Sequence, residues 1–255
     1  MDHNSSLSGK HALVTGGGTG IGLAIAQALA ERGAQVTITG RRQSVLDNVA
    51  GHGLFGAAMD VRDETSVVDV IGAAVAARGP IQICVPNAGI ATGRALHKTD
   101  MAFWRDTMAT NLDGAFLTIR ESLASMRTTD WGRVIAVSSI AGLRGLPGAA
   151  AYAASKHGLI GLIRSLSEDY MGQPYTFNAL CPGYVDTPIV ARNQEAIATR
   201  TGMSQDDARQ VMIDANRHKR LLDVEEIAAA ALWLTGPGSQ SINGQSIQIS
   251  GGQTV

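Results

Sequence analysis

The stretch Thr15-Gly16-Gly17-Gly18-Thr19-Gly20-Ile21-Gly22 decides the fold. It follows a short apolar run, His11–Thr15, and precedes an Ala- and Leu-rich segment, Leu23–Glu31, whose spacing predicts a helix. A glycine-rich turn between a strand and a helix brings the backbone close to a phosphate, and the free N–H groups of the first helical turn point at it. This context predicts a nucleotide-binding α/β fold, whereas a turn used only for packing is the alternative.

Further apolar runs follow along the chain and are separated by helical stretches. These runs are Gln35–Thr39, Leu54–Met59, Ile81–Val85, Arg133–Ser138, Thr176–Cys181 and Ser246–Ile249. They are continuous rather than alternating, which is typical of strands buried on both faces. Strands that alternate with helices predict right-handed crossovers and a parallel sheet. We therefore expect one domain, residues 1–255, with a Rossmann-type doubly wound sheet of about seven parallel strands and helices on both faces.

Composition and charge exclude several classes of protein. Lys and Arg number 21 and Asp and Glu number 22, so bulk charge attracts neither nucleic acid nor an anionic membrane. The longest apolar run, Ile227–Leu234, is too short to span a bilayer, and Met1–Ser6 lacks a signal-peptide pattern. Cys84 and Cys181 both lie in apolar stretches and are predicted to be buried thiols. We expect a cytoplasmic protein.

Tyr152 and Lys156 form the clearest chemical signal. Their i, i+4 spacing puts both side chains on one face of a helix. An ammonium beside a phenol lowers the phenol pKa from its ordinary value near 10, so the tyrosine can exchange a proton with an alcohol oxygen. Surface residues at an amphipathic boundary are the alternative interpretation of this pair.

The chain resembles the classical branch of the short-chain dehydrogenase/reductase family. Its glycine turn has that family's Gly-x-x-x-Gly-x-Gly spacing. The other matching segments are Pro86-Asn87-Ala88-Gly89, Asn111, Ser138-Ser139, Tyr152-Ala-Ala-Ser-Lys156, Pro182-Gly183-Tyr184-Val185-Asp186-Thr187 and Ser250-Gly251-Gly252. The resemblance runs from about Leu7 to Val255. Lys156-His157-Gly158 and the loop length are similar to those of 3-oxoacyl thioester reductases and 3-hydroxybutyrate dehydrogenases.

The resemblance implies an NAD(P)(H)-dependent oxidoreductase that interconverts a secondary alcohol and a ketone. It implies that Ser139 orients the substrate oxygen, that Tyr152 is the acid/base, and that Asn111 takes part in proton relay by holding a water that leads to Lys156. Lys156 would also bind the nicotinamide ribose. A nucleotide sensor without catalysis is the alternative, since fold does not fix function.

Arg41 bears on the choice of cofactor. It follows Gly40, the position at which an acidic residue would bind the ribose of NAD, and a guanidinium suits the 2′-phosphate of NADP. NADP(H) is therefore favoured. NAD(H) stays open because Thr19 stands where NADP-preferring relatives often have a basic residue. The residues that the resemblance implies at the cofactor are Gly16, Thr19, Gly20, Ile21, Gly22, Arg41, Arg42, Asp60, Val61, Asn87, Ala88, Gly89, Tyr152, Lys156, Pro182, Gly183, Val185 and Thr187.

A substrate lid is expected at about residues 188–220. Its basic run Arg217–Arg220 either faces an acidic substrate or is solvated, and Arg144 is a second candidate for an anionic substrate group. Ile90-Ala91-Thr92 and Ile140-Ala141-Gly142 lack the His or Gln usual in 3-hydroxybutyrate enzymes. We therefore favour a 3-oxoacyl thioester or 3-hydroxyacyl substrate over free 3-hydroxybutyrate, with other ketones and secondary alcohols open.

The remaining expectations concern metals and assembly. The six histidines are scattered without metal-ligand spacing, so no metal is predicted. The resemblance implies a homotetramer or homodimer, built through the helices around residues 99–126 and 151–170 and the C-terminal strand. The same apolar stripes would also suit core helices of a monomer.

Overall fold

One parallel sheet organises the protein in a computed structural model that describes residues 6–253. Within that range the strands are β1 His11–Thr15, β2 Gln35–Gly40, β3 Leu54–Ala58, β4 Ile81–Val85, β5 Gly132–Val137, β6 Tyr175–Pro182 and β7 Ser246–Ile249. The strand order is β3-β2-β1-β4-β5-β6-β7. The order reverses between β1 and β4, so a crevice opens there at the carboxyl edge of the sheet. Met1–Ser5, part of the segment searched for a signal peptide, lie outside the described residues.

The predicted fold class is confirmed, and each predicted strand boundary lies within one residue of the observed one. The agreement has a physical cause, because β5 and β6 are buried along their whole length. A strand covered on both faces needs a continuous apolar run, and such a run is readable without tertiary information.

Helices cover both faces of the sheet. In residues 6–253 the α-helices are α1 Gly20–Glu31, α2 Gln43–Asp47, α3 Glu64–Arg78, α4 Met101–Met108, α5 Gly114–Met126, α6 Ala150–Asp169, α7 Pro188–Thr201, α8 Gln205–Ala215 and α9 Val224–Thr235. Helices α1, α2 and α9 contribute to one core, and α3, α5 and α6 contribute to the other.

The two cores follow from the alternation of side chains along each strand. Val14 of β1 packs in the core that contains Ile25 of α1, whereas the preceding Leu13 packs in the core that contains Ile119 of α5. All four side chains are almost fully buried. Burying a side chain of this size contributes ~1.5–3 kcal/mol. Strand β1 therefore anchors both layers and fixes the glycine turn that follows it.

The helix through Leu112–Met126 differs from its predicted form. A π-helical turn, Ala109–Asp113, precedes α5. The extra residue in that turn shifts the phase of the helix. The helical spacing of Leu112, Phe116, Ile119, Leu123 and Met126 predicts that these residues share one buried face. Ile119, Leu123 and Met126 are buried as predicted, whereas Phe116 is 45% exposed and its neighbour Ala115 is buried. The spacing predicted the helix correctly and its buried face only in part.

The expected lid segment forms two helices, α7 and α8, after β6. Val190 of α7, Met212 of α8 and Leu221 make a small cluster of their own, with Tyr184 packed against it. The lid is thus fastened at its base beside the end of β6.

His11, at the start of β1, is a buried titratable group. The Gly79 carbonyl can only accept, so the His11 Nδ1–H donates to it at 2.8 Å, and Nε2 accepts from the Thr37 hydroxyl at 2.8 Å. Arg78 also donates to the Thr37 hydroxyl. Burial lowers the pKa of His11 below its ordinary value of 6.5, the Gly79 hydrogen bond opposes that shift, and the Arg78 charge lowers the pKa further.

We predict that the free energy of unfolding falls as the pH drops from about 7 to about 5, because folding must then keep His11 neutral while the unfolded chain binds the proton. The His11 pKa is lower in the folded protein than in the unfolded chain. The stability that neutral His11 contributes is therefore fully present above the unfolded pKa, and it is lost as the pH falls through the folded pKa. Urea unfolding of His11→Asn should show a flatter pH slope, whereas the exposed His52→Asn should keep the wild-type slope. Equal slopes for His11→Asn and the wild type would contradict the prediction.

Candidate active site

The glycine turn between β1 and α1 is shaped by close backbone contacts. Gly16 has φ +63° and Gly20 has φ +55°, a region that favours glycine. A Cβ on Gly17 would lie 2.8 Å from the Cβ of Ile38, and a Cβ on Gly22 would collide with the Gly16 carbonyl oxygen. Helix α1 begins at Gly20, three residues before the predicted start, so its free N–H groups lie inside the turn. These residues fit a pyrophosphate.

Asn87 joins the ends of β1 and β4. Its Nδ2 donates to the Thr15 carbonyl at 2.8 Å, and the backbone N–H groups of Asn87 and Ala88 both donate to the Thr15 hydroxyl at 3.0 Å. A Cβ on Gly16 would lie 3.0 Å from Asn87 Nδ2. Asn87 therefore holds the glycine turn in place, and Thr15, which the sequence did not single out as a site residue, is its partner.

Ser139, Tyr152 and Lys156 meet at one wall of a cavity. Ser139 ends the segment after β5 and caps the 3₁₀ turn Ile140–Gly142, where its hydroxyl accepts from Ala141 N at 3.1 Å. The Ser138 hydroxyl instead donates to the Lys156 carbonyl at 3.3 Å, so it is bound to the backbone of α6. The choice of Ser139 over Ser138 thus has a geometric basis.

Burial dominates the electrostatics of this cluster. It lowers the pKa of Lys156 to about 8, and the Lys156 ammonium donates to the Val137 carbonyl at 2.8 Å. Burial raises the pKa of Tyr152, while its hydrogen bond with Ser139 acts in the opposite direction. The Lys156 ammonium lies 5.9 Å from the Tyr152 ring centre. A lowering of the Tyr152 pKa by Lys156 stays a prediction.

Asn111 lies in the π-helical turn behind this wall and is 1% exposed. Its Oδ1 accepts from Ile90 N at 2.8 Å, and its Nδ2 donates to the Ile90 carbonyl at 2.9 Å and to the Ser155 hydroxyl at 3.0 Å. A Cβ on Gly89 would lie 3.2 Å from Asn111 Oδ1 and 3.7 Å from Lys156 Nζ. Asn111 and Lys156 thus flank Gly89, and the proton relay through Asn111 stays a prediction.

The cavity has a volume of about 490 Å³ and a mainly apolar lining. It contains ten residues predicted at the cofactor or substrate: Ile21, Asn87, Gly89, Ser139, Tyr152, Lys156, Pro182, Gly183, Val185 and Thr187. Lining side chains that the sequence did not single out are Leu146, Pro147, Tyr184, Val190, Met203, Val211 and Met212. Tyr184 stands inside a quoted motif and could have been found there. Leu146 and Pro147 lie in the loop before α6, and the other four depend on how the lid packs.

Thr187 connects the end of β6 with the glycine turn. Its hydroxyl accepts from Val190 N at 3.4 Å as the cap of α7 and donates to the Val185 carbonyl at 3.3 Å. A Cβ on Gly20 would lie 3.4 Å from Thr187 Cγ2. The first turns of α1 and α7 therefore meet above the crevice.

Arg41 and Arg42 follow β2 and are exposed, beside the expected adenosine end of the site. The Asp60 carboxylate accepts from Arg62, and that bond holds the Asp60 pKa below its usual range, with the Arg41 charge adding to the effect. Val61 packs against Gly114. The carboxylate of Asp60 is therefore committed to an ion pair, and a contact of Asp60 with adenine stays a prediction.

The basic run Arg217–Arg220 and Arg144 were both candidates to bind an anionic part of the substrate. In the run Arg217–Arg220, Lys219 pairs with Asp214 at 3.1 Å, and Arg220 binds Glu226 at 2.6 Å. Arg144 is not among the residues that line the cavity. It lies close enough to Tyr184 for its charge to oppose the rise that burial causes in the Tyr184 pKa.

Both cysteines are buried and free. Burial raises the pKa of Cys84 to about 12 and that of Cys181 to about 11. Across residues 6–253, no group of three or more His, Cys, Asp or Glu side chains could hold a metal ion. Over the same part of the chain, no helix combines the length and apolar character needed to cross a membrane.

Comparisons with known proteins agree with this geometry. The family model for short chain dehydrogenase matches residues 10–198. A D-beta-hydroxybutyrate dehydrogenase of Rhizobium meliloti is 32% identical over 255 residues, which cover 96% of this chain and 99% of the relative. A 3-oxoacyl-(acyl-carrier-protein) reductase of Vibrio cholerae is 34% identical over 250 residues, which cover 97% of this chain and 98% of that protein.

A solved structure is also similar over nearly the whole length. A tryptophan-for-phenylalanine variant of actinorhodin polyketide ketoreductase, determined with NADPH, has a TM-score of 0.92 at 31% identity and covers 99% of both chains. The fold and the site define a Rossmann-type oxidoreductase. The chain belongs to the short-chain dehydrogenase/reductase family and is an enzyme that acts on CH–OH groups or the corresponding carbonyls.

The Lys156 pKa of about 8 predicts the pH dependence of the reductive reaction. The lysine is charged below that pH, so kcat/KM should fall as the pH rises above about 8, by up to about tenfold per unit. Steady-state rates from about pH 6 to about pH 10 would measure this decrease. Lys10→Gln is the control: Lys10 precedes β1 at the amino end of the sheet, opposite the site, so this variant should keep the decrease above about pH 8. A flat profile through this range would contradict the prediction, and Lys156→Gln should retain only a low, pH-independent rate.

Proposed function

We propose that this enzyme uses NADPH to reduce the ketone of a 3-oxoacyl thioester to the 3-hydroxyacyl product. The observation that carries the proposal is the meeting of Ser139, Tyr152 and Lys156 at one wall of an apolar cavity beside the glycine turn. The names of the Vibrio cholerae relative and of the actinorhodin ketoreductase support a carbonyl substrate. Free 3-hydroxybutyrate, named for the Rhizobium meliloti relative, and other ketones are alternatives.

A bound nicotinamide cofactor supplies the hydride for such a reaction. The Ser139 hydroxyl donates to the substrate carbonyl oxygen and orients it. Tyr152 then gives its phenolic proton to the same oxygen. Lys156 keeps a positive charge next to that oxygen and holds the ribose, while Asn111 relays a proton from solvent through a water.

The cofactor would be held along the carboxyl edge of β1, β2, β4 and β6. The pyrophosphate fits the turn of Gly16, Thr19, Gly20, Ile21 and Gly22 at the start of α1. The other proposed contacts are Asp60 and Val61 at the adenine, Arg41 and Arg42 at the 2′-phosphate, Asn87, Ala88 and Gly89 along the cleft, and Pro182, Gly183, Val185 and Thr187 at the nicotinamide. NADP(H) is favoured over NAD(H) because Arg41 is exposed and free of any ion pair within residues 6–253.

Arg144 is proposed to act on an anionic part of the substrate from outside the cavity wall. We also propose a homotetramer or homodimer, supported by the exposure of Met101 and Phe116 on neighbouring helices that were expected to associate. The cytoplasmic location and a single domain stay predictions from the sequence.

Replacing Tyr152 by Phe removes the proton donor and leaves the cavity shape. We expect kcat for NADPH oxidation with acetoacetyl-CoA to fall by about 10²–10⁴-fold, while NADPH binding, measured by fluorescence, is retained. Tyr175→Phe is the matched control, because the Tyr175 hydroxyl donates to the Thr129 carbonyl at 2.9 Å, away from the cavity. It should keep the wild-type rate.

Three outcomes separate the alternatives. Turnover that survives in Tyr152→Phe would refute the assigned role. No turnover with acetoacetyl-CoA would refute the thioester substrate and lead to other ketones and to 3-hydroxybutyrate. Binding of nicotinamide nucleotide with no turnover of any of these compounds would favour the sensor.

Arg41→Ala tests the cofactor preference. Losing charge-assisted hydrogen bonds costs ~1.5–3 kcal/mol, so the KM for NADPH should rise by about tenfold or more while the KM for NADH stays within about twofold. Arg127→Ala, at the exposed end of α5, should change neither value. An equal effect of Arg41→Ala on both cofactors would show that Arg41 does not recognise a phosphate.

A further inference from the structure

Asn216 holds the backbone of Tyr184 from the base of the lid. Asn216 follows α8 and is fully buried. Its Oδ1 accepts from Tyr184 N at 3.2 Å, and its Nδ2 donates to the Tyr184 carbonyl at 2.9 Å and to the Arg220 carbonyl at 2.8 Å. The side chain thus satisfies the polar backbone groups of Tyr184 as a neighbouring strand would.

Backbone hydrogen bonds beside Asn216 make the same connection. Leu222 N donates to the Tyr184 carbonyl at 2.9 Å, and Asp186 N donates to the Leu222 carbonyl at 2.9 Å. A Cβ on Gly183 would lie 2.7 Å from Asn216 Oδ1, so the close approach requires glycine there. The base of the lid is therefore locked onto the residues that follow β6.

Tyr184 lines the cavity together with Tyr152. Within residues 6–253 its hydroxyl makes no hydrogen bond, and its charge is close enough to act on that of Tyr152. Arg144 is close enough for its charge to act on the Tyr184 hydroxyl, and its Nε is buried without a partner in the same part of the chain. A partly buried donor next to an unpaired cation favours an oxygen acceptor from a ligand.

In the proposed reaction Ser139 and Tyr152 bind the reacting oxygen. Tyr184 lines the same cavity and has a hydroxyl without a partner in residues 6–253, so it is a candidate to bind a second oxygen. We propose that Tyr184 selects ketones that carry a second carbonyl, ester or carboxylate oxygen near the reacting carbonyl, and that Asn216 is the positioning residue that aims it. This proposal rests on the ketone reductase function and specifies its substrate class. Besides its proposed action on an anionic substrate group, Arg144 acts through Tyr184, by making the phenol a better donor.

A matched pair of substrates tests the selectivity. Ethyl acetoacetate and 2-heptanone are methyl ketones of similar length, and only the first has the second oxygen. The measured quantity is the ratio of their kcat/KM values with NADPH. We expect the wild type to prefer ethyl acetoacetate, and Tyr184→Phe to lower that ratio about three- to tenfold, the effect of one hydrogen bond. Tyr175→Phe should leave it unchanged.

Asn216→Asp keeps the size of the side chain but removes both donated hydrogen bonds. We expect it to raise KM for ethyl acetoacetate more than KM for 2-heptanone. Asn178→Asp is the matched control, because Asn178 is also fully buried and donates to the Ile242 carbonyl at 2.7 Å, on the β7 side of the sheet. It should lower the melting temperature without moving the ratio. If Asn216→Asp does not fold, Asn216→Ser is measured instead.

The outcomes that overturn the proposal are distinct from failure of the proposed function. A wild type that reduces both ketones equally well, or a Tyr184→Phe variant that loses activity on both equally, overturns the proposal and leaves the reductase function standing. An Asn216 variant that behaves like Asn178→Asp overturns the role of Asn216. A wild type that binds NADPH but reduces neither ketone overturns the proposal and the ketone reductase function together.

Discussion

The hydrogen bonds between Asn87 and Thr15 support the rest of the site. They join β1 and β4 at the point where the strand order reverses and the crevice opens. The glycine turn packs directly against the Asn87 amide, so its shape depends on that side chain. The segment that continues from Asn87 reaches Gly89, where Asn111 and Lys156 meet. This cross-strand contact thus links the glycine turn to the cluster around Lys156.

The second constraint is the burial of Tyr152 and Lys156, which shifts the pKa of each side chain. Lys156 is almost completely buried, and its hydrogen bond to the Val137 carbonyl satisfies only one of its three donors. Because Lys156 lines the cavity, its remaining donors are available to a ligand there. Tyr152 responds oppositely, because burial disfavours its charged form and keeps the phenol protonated. Both shifts suit an enzyme that delivers a proton.

The sheet edge and the lid contribute different kinds of side chain to the cavity. The sheet edge supplies the polar groups, whereas α7 and α8 supply an apolar wall that includes Val190 and Met212. At the lid base, Lys219 pairs with Asp214 and Arg220 pairs with Glu226, so part of the basic run is already engaged with carboxylates. Polar residues on this side of the cavity are Tyr184 and, on α7, Asn193 and Thr201. Of these, Tyr184 is the one whose backbone is held by the buried Asn216.

The sequence by itself determined the elements and the chemistry that is local to them. Continuous apolar runs predicted the strands, and i, i+4 spacing on α6 placed Tyr152 beside Lys156, because both patterns depend only on neighbours in the chain. Only the tertiary structure decided which way the Lys156 ammonium turns, that Phe116 is exposed, and that Asn216 reaches Tyr184, which lies 32 residues away along the chain. Those outcomes depend on packing between distant segments, which local propensity does not encode.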